Sequence, residues 1–289
     1  MVDATRHVEA PLDTTRLLQW HCWLFAANDD LLPRRIRIGS LRGDEPMQIV
    51  SGRIDRPRVH FEAPPRKGLE DLLEEFLGWF EPSRNDPALD PLLRAGIALF
   101  WFVTLHPFDD GNGRLTRALT DLALAQAQPQ AIRFYAMSTS IWADDSGYYR
   151  ILEGTQKRGL DITAWLQWFL STLHHSLVQA RHRIDRLKTK ARFWQNHCTQ
   201  SLSADQIKVL NRLLNGGERG FEQGINARQY HAVAKVSNAT TISHLTDLVE
   251  RGCLRRLIGD GRSTRYEINT PATDTPLATR PCSIQDPNR

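Results

Sequence analysis

Residues 106–117, with the sequence HPFDDGNGRLTR, concentrate side chains that suit chemistry on phosphates. Glycines at 111 and 113 would let backbone N–H groups at the start of a following helix approach an anion, where the helix macrodipole adds positive potential. Arg114 and Arg117 stand one helical turn apart and therefore project from the same face, as two guanidinium groups suited to phosphate oxygens. The run predicts a phosphate-binding loop.

Asp110 and His106 extend this loop to a reaction centre. A carboxylate is a poor neighbour for phosphate unless a cation lies between them, so Asp110 indicates Mg²⁺ bridging to the phosphates. His106, at the end of the preceding helix, is the one group of the run that can take a proton near neutral pH. Each feature alone is more often structural, but together at one helix junction they predict phosphoryl or nucleotidyl transfer to a hydroxyl.

Helices on both sides must position this loop. After Asp90-Pro91, a typical helix start, the segment LLRAGIALFWFVTL is apolar nearly all round and is expected at the centre of the fold. Pro107 ends this helix, the two glycines form a loop, and a new helix is expected from Arg114. Periodicity predicts further helices at residues 13–28, 69–80, 145–157, 161–180 and onward through the charged run that follows. Residues 47–65 instead predict a β-hairpin.

The composition changes near residue 202. Three short helical segments, SADQIKVLNRLLNGG, ARQYHAVAKV and NATTISHLTDLVERG, precede two strands around Asp260-Gly261. This is the order of a winged helix. We therefore expect a mainly α chain with a catalytic domain at 1–200, a small winged helix-turn-helix domain at 201–270 and a disordered tail at 271–289.

Composition is that of an ordinary water-soluble protein. The 289 residues are 41% hydrophobic and 24% charged, with a formal net charge of +4 that permits an anionic partner without requiring one. The four cysteines, which have no CxxC pair or zinc-ligand spacing, are Cys22, Cys198, Cys253 and Cys282. The first residues lack an apolar leader, and the longest apolar run is too short to cross a bilayer. We expect a cytoplasmic protein with no membrane contact.

The run from His106 to Arg117 matches the signature HPFx(D/E)GNGRxxR of Fic proteins at every specified position. The upstream hairpin, the apolar helix entering the run and Tyr148-Tyr149 in a later helix agree with that family. The order of the parts also resembles Fic proteins that carry a C-terminal winged helix. The resemblance implies a Fic helical core with a hairpin flap, and transfer of AMP from ATP to a Ser, Thr or Tyr hydroxyl of a protein.

The resemblance also implies a role for each residue of the motif. His106 would be the general base, Asp110 the Mg²⁺ ligand and Phe108 an internal anchor. The residues that would hold the phosphates of ATP are Gly111, Asn112 and Gly113 on the α-phosphate, Arg114 on the β- and γ-phosphates, and Arg117 near the γ-phosphate.

Two further elements carry implied roles. The hairpin at 47–65 corresponds to the Fic flap, which docks a segment of the target protein by main-chain pairing; an ordinary surface hairpin is the alternative. Tyr148 and Tyr149 are candidates for the adenine pocket, although aromatic residues on helices more often belong to the core.

Fic proteins are commonly silenced by a helix bearing (S/T)xxxE(G/N), whose glutamate pairs with the second motif arginine, here Arg117. Glu153 is the only glutamate followed by glycine, the residue four positions before it is Tyr149, and no glutamate is followed by asparagine, so the pattern fails. We expect that this helix was lost upstream of Met1, or alternatively that an antitoxin-like partner supplies the glutamate. The chain is then expected to modify itself when given ATP and Mg²⁺.

The sequence leaves two kinds of alternative to AMP transfer: a Fic enzyme that transfers another group, and a protein that is not an enzyme. A Fic enzyme could transfer UMP, phosphocholine or phosphate, although the intact Gly-Asn-Gly-Arg segment disfavours the phosphate-transferring Doc type. A different class is a DNA-binding regulator whose Fic core senses nucleotide. The basic residues expected near its winged helix are Lys235, His244, Arg255, Arg256, Arg262 and Arg265. The third helix has few Arg, Asn or Gln residues that could read bases, so a contact with another protein is an equally good interpretation of this domain. A homodimer is compatible with both domains.

Overall fold

The computed structural model describes residues 2–26, 36–53, 56–127, 137–216, 221, 223–257 and 264–269. The chain divides into two compact units, unit 1 at Met1–Ala180 and unit 2 at Arg181–Arg289. Several features singled out in the sequence lie outside the described residues: Arg262, Cys282, the turn at Asp260-Gly261 and the predicted tail at 271–289. Within the described part of the chain, no helix is long and apolar enough to span a bilayer.

Unit 1 is mainly helical, as the sequence predicts. Its helices are α1 (Val2–Arg6), α2 (Thr14–Phe25), α3 (Leu69–Phe80), α4 (Pro91–Leu105), α5 (Asn112–Ala127), α6 (Met137–Ala143), α7 (Asp145–Gln156) and the first part of α8 (Thr163–His197). Helices α1 and α6 are not predicted from the sequence, because helices of five and seven residues are too short to establish a 3.6-residue period. The 3-10 turn at Pro82–Asn85 is not predicted either.

The apolar helix α4 lies in the core, as predicted. Asp90 caps its start by accepting hydrogen bonds from the Leu92 and Leu93 N–H groups, with Pro91 in the first turn. α8 packs closely on α4 at Gly96, where an added Cβ would lie 2.9 Å from the Phe169 ring. This close contact makes α4 a fixed support for the loop that follows it.

Arg94 ties the far end of α4 to its neighbours. Its guanidinium group is buried, donates hydrogen bonds to Ser83 Oγ (2.9 Å) and the Phe80 carbonyl (2.6 Å), and contacts Gln126 on α5 (3.0 Å). The cation also lies 4.2 Å from the centre of the Phe80 ring. Burial lowers the Arg94 pKa to about 10, so the group stays charged at neutral pH.

The predicted hairpin is present as β1 (Gln48–Arg53) and β2 (Arg56–Glu62). The strands are antiparallel, with Gln48 opposite Glu62, and a bulge shifts the register between Ile49 and Val50. The tip at 54–55 lies outside the described residues. Helix α7 lies beside β2, which places the hairpin against the helix that carries the two predicted tyrosines.

Unit 2 follows the predicted order of elements. After the last part of α8 come α9 (Ala204–Asn215), α10 (Ala227–Ala234), α11 (Asn238–Glu250), β3 (Leu254–Arg256) and β4 (Tyr266–Ile268). β3 and β4 are antiparallel, and Ile225 bridges to Tyr266 beside them. Ser203 starts α9 with a capping box, since its side chain accepts from the Gln206 N–H while Gln206 accepts from the Ser203 N–H. This order is that of a winged helix, and its classification stays a prediction.

The boundary between the units falls inside α8. The change of composition predicts this boundary near residue 200 instead. Phe193 and Trp194, on the last part of α8, pack into the core of unit 2 with residues of α9, α10 and α11. That part of the helix therefore belongs to unit 2, although its polar sequence continues the preceding helix without a break.

Candidate active site

The loop at 106–111 joins α4 to α5. His106 caps α4 with φ = 48°, and Gly111 precedes α5 with φ = 85°. A left-handed backbone is easy for glycine but strained for histidine, so the His106 conformation must be held by its surroundings. These two residues turn the chain at the two ends of the loop and bring the end of α4 next to the start of α5.

Asn112 closes the loop from inside. Its side chain accepts a hydrogen bond from the Phe108 N–H (3.0 Å) and donates one to the Phe108 carbonyl (2.7 Å). Phe108 is fully buried, as expected of an internal anchor. Because the Asn112 amide is buried and used inside the loop, the group that Asn112 can offer to a phosphate in this arrangement is its backbone N–H.

The start of α5 presents free backbone donors. The N–H groups of Arg114 and Leu115 both reach the Gly111 carbonyl at 3.0 Å, while no described group accepts from those of Asn112 and Gly113. α5 thus begins two residues earlier than predicted, and Gly113 belongs to its first turn instead of the loop. Unpaired N–H groups at a helix N-terminus, where the macrodipole is positive, bind anions.

His106 carries the features of a general base. Its Nδ1 lies 3.2 Å from the Val103 carbonyl, which can only accept, so Nδ1 carries the proton and Nε2 holds a free lone pair. Burial is the main cause that lowers the His106 pKa, and the positive charge of Arg42 lowers it further, while the Val103 hydrogen bond and Asp110 oppose this shift. The imidazole is therefore neutral near pH 7, the form that can accept a proton.

Arg114 contacts a carboxylate and an aromatic ring of the site. Its Nη2 is 3.4 Å from Asp110 Oδ2, and its guanidinium lies 4.8 Å from the centre of the Phe25 ring at the end of α2. The same ring would contact a Cβ added at Gly111 at 3.2 Å. Phe25 thus packs against the loop and supports Arg114, a contact that the motif sequence does not indicate.

Arg117 lies over the first turn of α5. A Cβ at Gly113 would come within 3.9 Å of Arg117 Nη1, so the guanidinium lies near the free N–H groups. No described carboxylate forms an ion pair with it. Glu153, the nearest sequence match to an inhibitory glutamate, forms an ion pair with Lys157 on its own helix at 2.7 Å.

His21 on α2 holds the loop from the other side, a role that is not predicted from the sequence. Its Nδ1 accepts a hydrogen bond from the Gly39 N–H (3.0 Å), so its Nε2 donates to the Asp110 carbonyl (3.1 Å). The ring stacks on Phe108 with 4.3 Å between centres. Burial lowers the His21 pKa, which favours the neutral form that these two hydrogen bonds require.

The segment before the hairpin also contacts the loop. Asp109, the unspecified position of the motif, accepts from the Arg37 backbone N–H (3.1 Å) and the Gly43 N–H (3.2 Å), and pairs with the Arg37 guanidinium. Arg42 donates to the His106 carbonyl at 3.0 Å. No local pattern indicates these contacts, because they join residues more than sixty positions apart.

The two tyrosines differ in their surroundings. Tyr148 packs on Trp165 and Trp168 with ring centres 6.0 and 5.5 Å apart, and Tyr149 lies edge-on to Tyr148 at 5.1 Å with about 39% of its surface exposed. Tyr148 thus packs as a core aromatic residue, which is the alternative to a role in the adenine pocket. A role for either residue in an adenine pocket stays a prediction.

In unit 2, three of the basic residues predicted near the winged helix contact other described residues. Arg255 pairs with Glu267 on the opposite strand. Arg256 donates to Thr264 Oγ1 (3.1 Å), and Arg265 donates to the Gly224 carbonyl (3.0 Å). The Arg255 contact offsets one positive charge, whereas Arg256 and Arg265 bind uncharged groups and keep theirs.

Comparison with known proteins identifies the family of the domain around the loop. Residues 11–124 match the Fic/DOC family model. Unit 1 therefore contains a Fic domain. The match includes α2 and the loop, the two parts that His21 and Phe25 connect.

The matches to named relatives cover only part of this chain and only part of each relative. A protein adenylyltransferase Fic from Drosophila virilis is 27% identical over 129 residues, 40% of this chain and 26% of that protein. The protein adenylyltransferase fic-1 of Caenorhabditis elegans is 30% identical over 102 residues, 34% of this chain and 19% of that protein. The chain thus matches about a quarter or less of these relatives' length. A crystal structure of a Fic family protein from Desulfovibrio desulfuricans, 20% identical, covers 94% of this chain and 74% of its own with a TM-score of 0.50, a likeness of fold.

Proposed function

We propose that the Fic domain transfers AMP from ATP to a Ser, Thr or Tyr hydroxyl of a protein. The observation that carries this proposal is the position of a neutral His106, its Nε2 free, one short loop away from the unpaired N–H groups of α5. A base beside an anion site is what a hydroxyl nucleophile and a phosphate electrophile require. The names of the partial relatives agree with adenylyl transfer.

In the proposed reaction, the target hydroxyl oxygen forms a bond to the α-phosphorus of ATP. The bond from that phosphorus to the α–β bridging oxygen breaks, and pyrophosphate leaves. His106 Nε2 takes the hydroxyl proton. The N–H groups of Asn112 and Gly113 hold the α-phosphate oxygens, while Arg114 and Arg117 neutralise the leaving group, so most of the catalysis is positioning and charge stabilisation.

The residues present fit Mg²⁺ only as part of a nucleotide complex. Asp110 has a carboxylate that is about 55% exposed, while the described residues contain no cluster of three or more candidate metal ligands. Mg²⁺ commonly binds through one or two carboxylates, water and substrate phosphates. Asp110 would hold the ion, which would supply positive charge to the phosphates.

The hairpin is the proposed dock for the target protein. Among the described residues its sheet consists of β1 and β2 alone, so an extended target segment could add to an outer edge by main-chain hydrogen bonds. Such pairing would bring a hydroxyl to His106 with little demand on the target sequence. A matching segment of a second copy would lead to self-modification, and the proposal includes this outcome.

Regulation is proposed to act on Arg117. No described carboxylate of the chain occupies it, so a glutamate from another segment or from an antitoxin-like partner would find this guanidinium available. Such a contact would remove one of the two arginines from the phosphates of ATP. A homodimer could supply it as well as a separate protein could.

The test uses the full chain with Mg²⁺ and ATP labelled at either the α- or the γ-phosphate. We expect α-label, and no γ-label, to enter the chain itself or a protein of the cognate lysate, together with a mass increase of one AMP. His106→Ala should abolish the transfer, and His175→Ala, a change at an exposed histidine of α8, should not affect it. Incorporation of γ-label would indicate phosphate transfer, and no incorporation of either label would overturn the proposal.

The variant His106→Ala also distinguishes the enzyme from the alternative, a DNA-binding regulator. If the Fic domain only senses nucleotide, His106→Ala should leave promoter regulation unchanged. Glu267 offsets the charge of Arg255, while Arg256 and Arg265 keep the positive charge that DNA contact would use. A gel-shift series with promoter and random DNA at several salt concentrations tests it directly, since phosphate contacts weaken with salt.

A further inference from the structure

Arg42 connects the hairpin to His106 through contacts that no motif indicates. Its Nε donates to the His106 carbonyl (3.0 Å), and its Nη2 donates to the Pro64 carbonyl just after β2. Its backbone N–H donates to the Pro107 carbonyl at 2.9 Å. One residue thus contacts the backbone of the proposed base, the residue after it and the root of the hairpin.

The Arg42 side chain is 2% exposed and pairs with no carboxylate among the described residues. Burial is the main cause that lowers its pKa, and the nearby positive charge of Arg66 adds to it. A buried cation is costly unless dipoles or charges compensate it. Here the compensation comes from two backbone carbonyls and from the negative charge of nearby Asp109, and the carbonyls must be held in place for the group to remain buried.

A second arginine fixes this position. Arg66 Nε donates to the Arg42 carbonyl at 2.7 Å, and the Arg66 guanidinium forms an ion pair with Glu70 in the first turn of α3. A continuous chain of contacts therefore runs from α3 through both arginines to His106. The hairpin root lies within it, since Pro64 and Arg66 follow β2 directly.

We propose that Arg42 is a positioning residue that couples the root of the hairpin to the orientation of His106. The proposal deepens the proposed function, since it assumes that His106 is the base and that the hairpin docks the target. Docking on the hairpin would act on the Pro64 carbonyl, and the shared guanidinium would transmit the change to the His106 carbonyl.

The strained backbone of His106 explains why such a contact is needed. At φ = 48° the residue depends on neighbours to hold its peptide groups. Its N–H is bound to the Phe102 carbonyl, and the carbonyl on its other side is bound to Arg42. Loss of Arg42 frees one side of the histidine and leaves two carbonyls, at His106 and Pro64, without this donor.

The experiment compares Arg42→Lys and Arg42→Gln with Lys67→Gln as a matched control. Lys67 is exposed and lines the same groove of about 590 Å³ as Arg42, so its substitution removes a nearby charge without touching His106. The charged groups that affect His106 are Arg42 and Asp110. Histidine NMR titration gives the His106 pKa, with the signal assigned by its loss in His106→Ala.

We expect Arg42→Gln to raise the His106 pKa toward the ordinary histidine value, because a nearby positive charge and part of the burial are lost. Arg42→Lys keeps the charge but cannot reach both carbonyls as a fork does, so its pKa should change less. Both variants should increase amide hydrogen exchange in peptides covering residues 56–70, while peptides of α4 stay protected and report an intact fold. Lys67→Gln should change neither quantity.

Activity supplies the second readout. Both Arg42 variants should lower kcat for adenylyl transfer by up to about 100-fold, with KM for ATP nearly unchanged, because a small misplacement of the base acts on the reaction step. An unchanged His106 titration together with unchanged exchange at 56–70 would overturn the proposal. These two measurements need no activity. If the wild type transfers no AMP but the His106 titration and the exchange at 56–70 still change on substitution of Arg42, the proposed function fails while the coupling stands.

Discussion

Replacing His21 by alanine tests whether α2 holds the loop at 106–111. The substitution removes the hydrogen bonds of His21 to the Gly39 N–H and the Asp110 carbonyl, which are partly buried, at about 1 kcal/mol for each bond. It also removes the stacking on Phe108, a contribution of about 0.5–1.5 kcal/mol. Together these losses predict a fall of about 3 kcal/mol in the free energy of unfolding of unit 1.

The assay is calorimetric unfolding of the full chain, with His175→Ala as the matched control. At about 2–4 °C per kcal/mol for a domain of this size, the Tm of unit 1 should fall by roughly 10 °C. His175 is exposed on α8, and its substitution should change stability by less than about 0.5 kcal/mol. Equal Tm values for the two variants would refute the structural role of His21.

The pH dependence gives an independent check on His21. Because its pKa is lowered in the folded state, its contribution is complete above about pH 6.5, the ordinary histidine pKa. As the pH falls from there through the lowered pKa, the unfolded chain takes up the proton first and stability is lost. The difference in unfolding free energy between wild type and His21→Ala should therefore shrink between pH 7.5 and 5.5. A constant difference would contradict this assignment.

Three further predictions concern separate parts of the chain. Arg94→Met should destabilise unit 1 by about 3 kcal/mol in urea unfolding, because the Phe80 carbonyl loses a buried charged donor, and Arg94→Lys should restore part of that loss. The acid limb of kcat/KM should lie below about pH 6.5, because the base must be neutral and the His106 pKa is lowered; a limb centred above pH 7 would contradict it. Ser203→Ala should destabilise unit 2 by about 1 kcal/mol through loss of the α9 capping box, without changing the unfolding of unit 1.

Local signals account for what the sequence predicted well. Asp90 and Pro91 begin α4 where the sequence indicates, and the hairpin lies inside the predicted range 47–65. The spacing of Arg114 and Arg117 places both on α5 for the same reason. Caps, turns and helical spacing depend on residues within one or two turns, so a single chain segment contains the whole signal.

The start of α5 shows where local reading falls short. Glycine at 113 indicates a loop, yet the helix already begins at Asn112. The Asn112 side chain bonds to both backbone groups of Phe108, and burial of Phe108 holds that arrangement in place. Tertiary packing therefore outweighs the low helix propensity of glycine at this position.

The sequence by itself determined which groups the candidate site brings together, because the histidine, carboxylate, glycines and arginines all lie within residues 106–117. Only the tertiary structure decided what holds them. His21 and Arg42 reach the loop from 89 and 64 positions away, and such contacts leave no periodic or spacing signal in one chain. The physical reason is that a reactive loop needs its backbone groups paired, and the fold supplies those partners from whichever segments pack beside it.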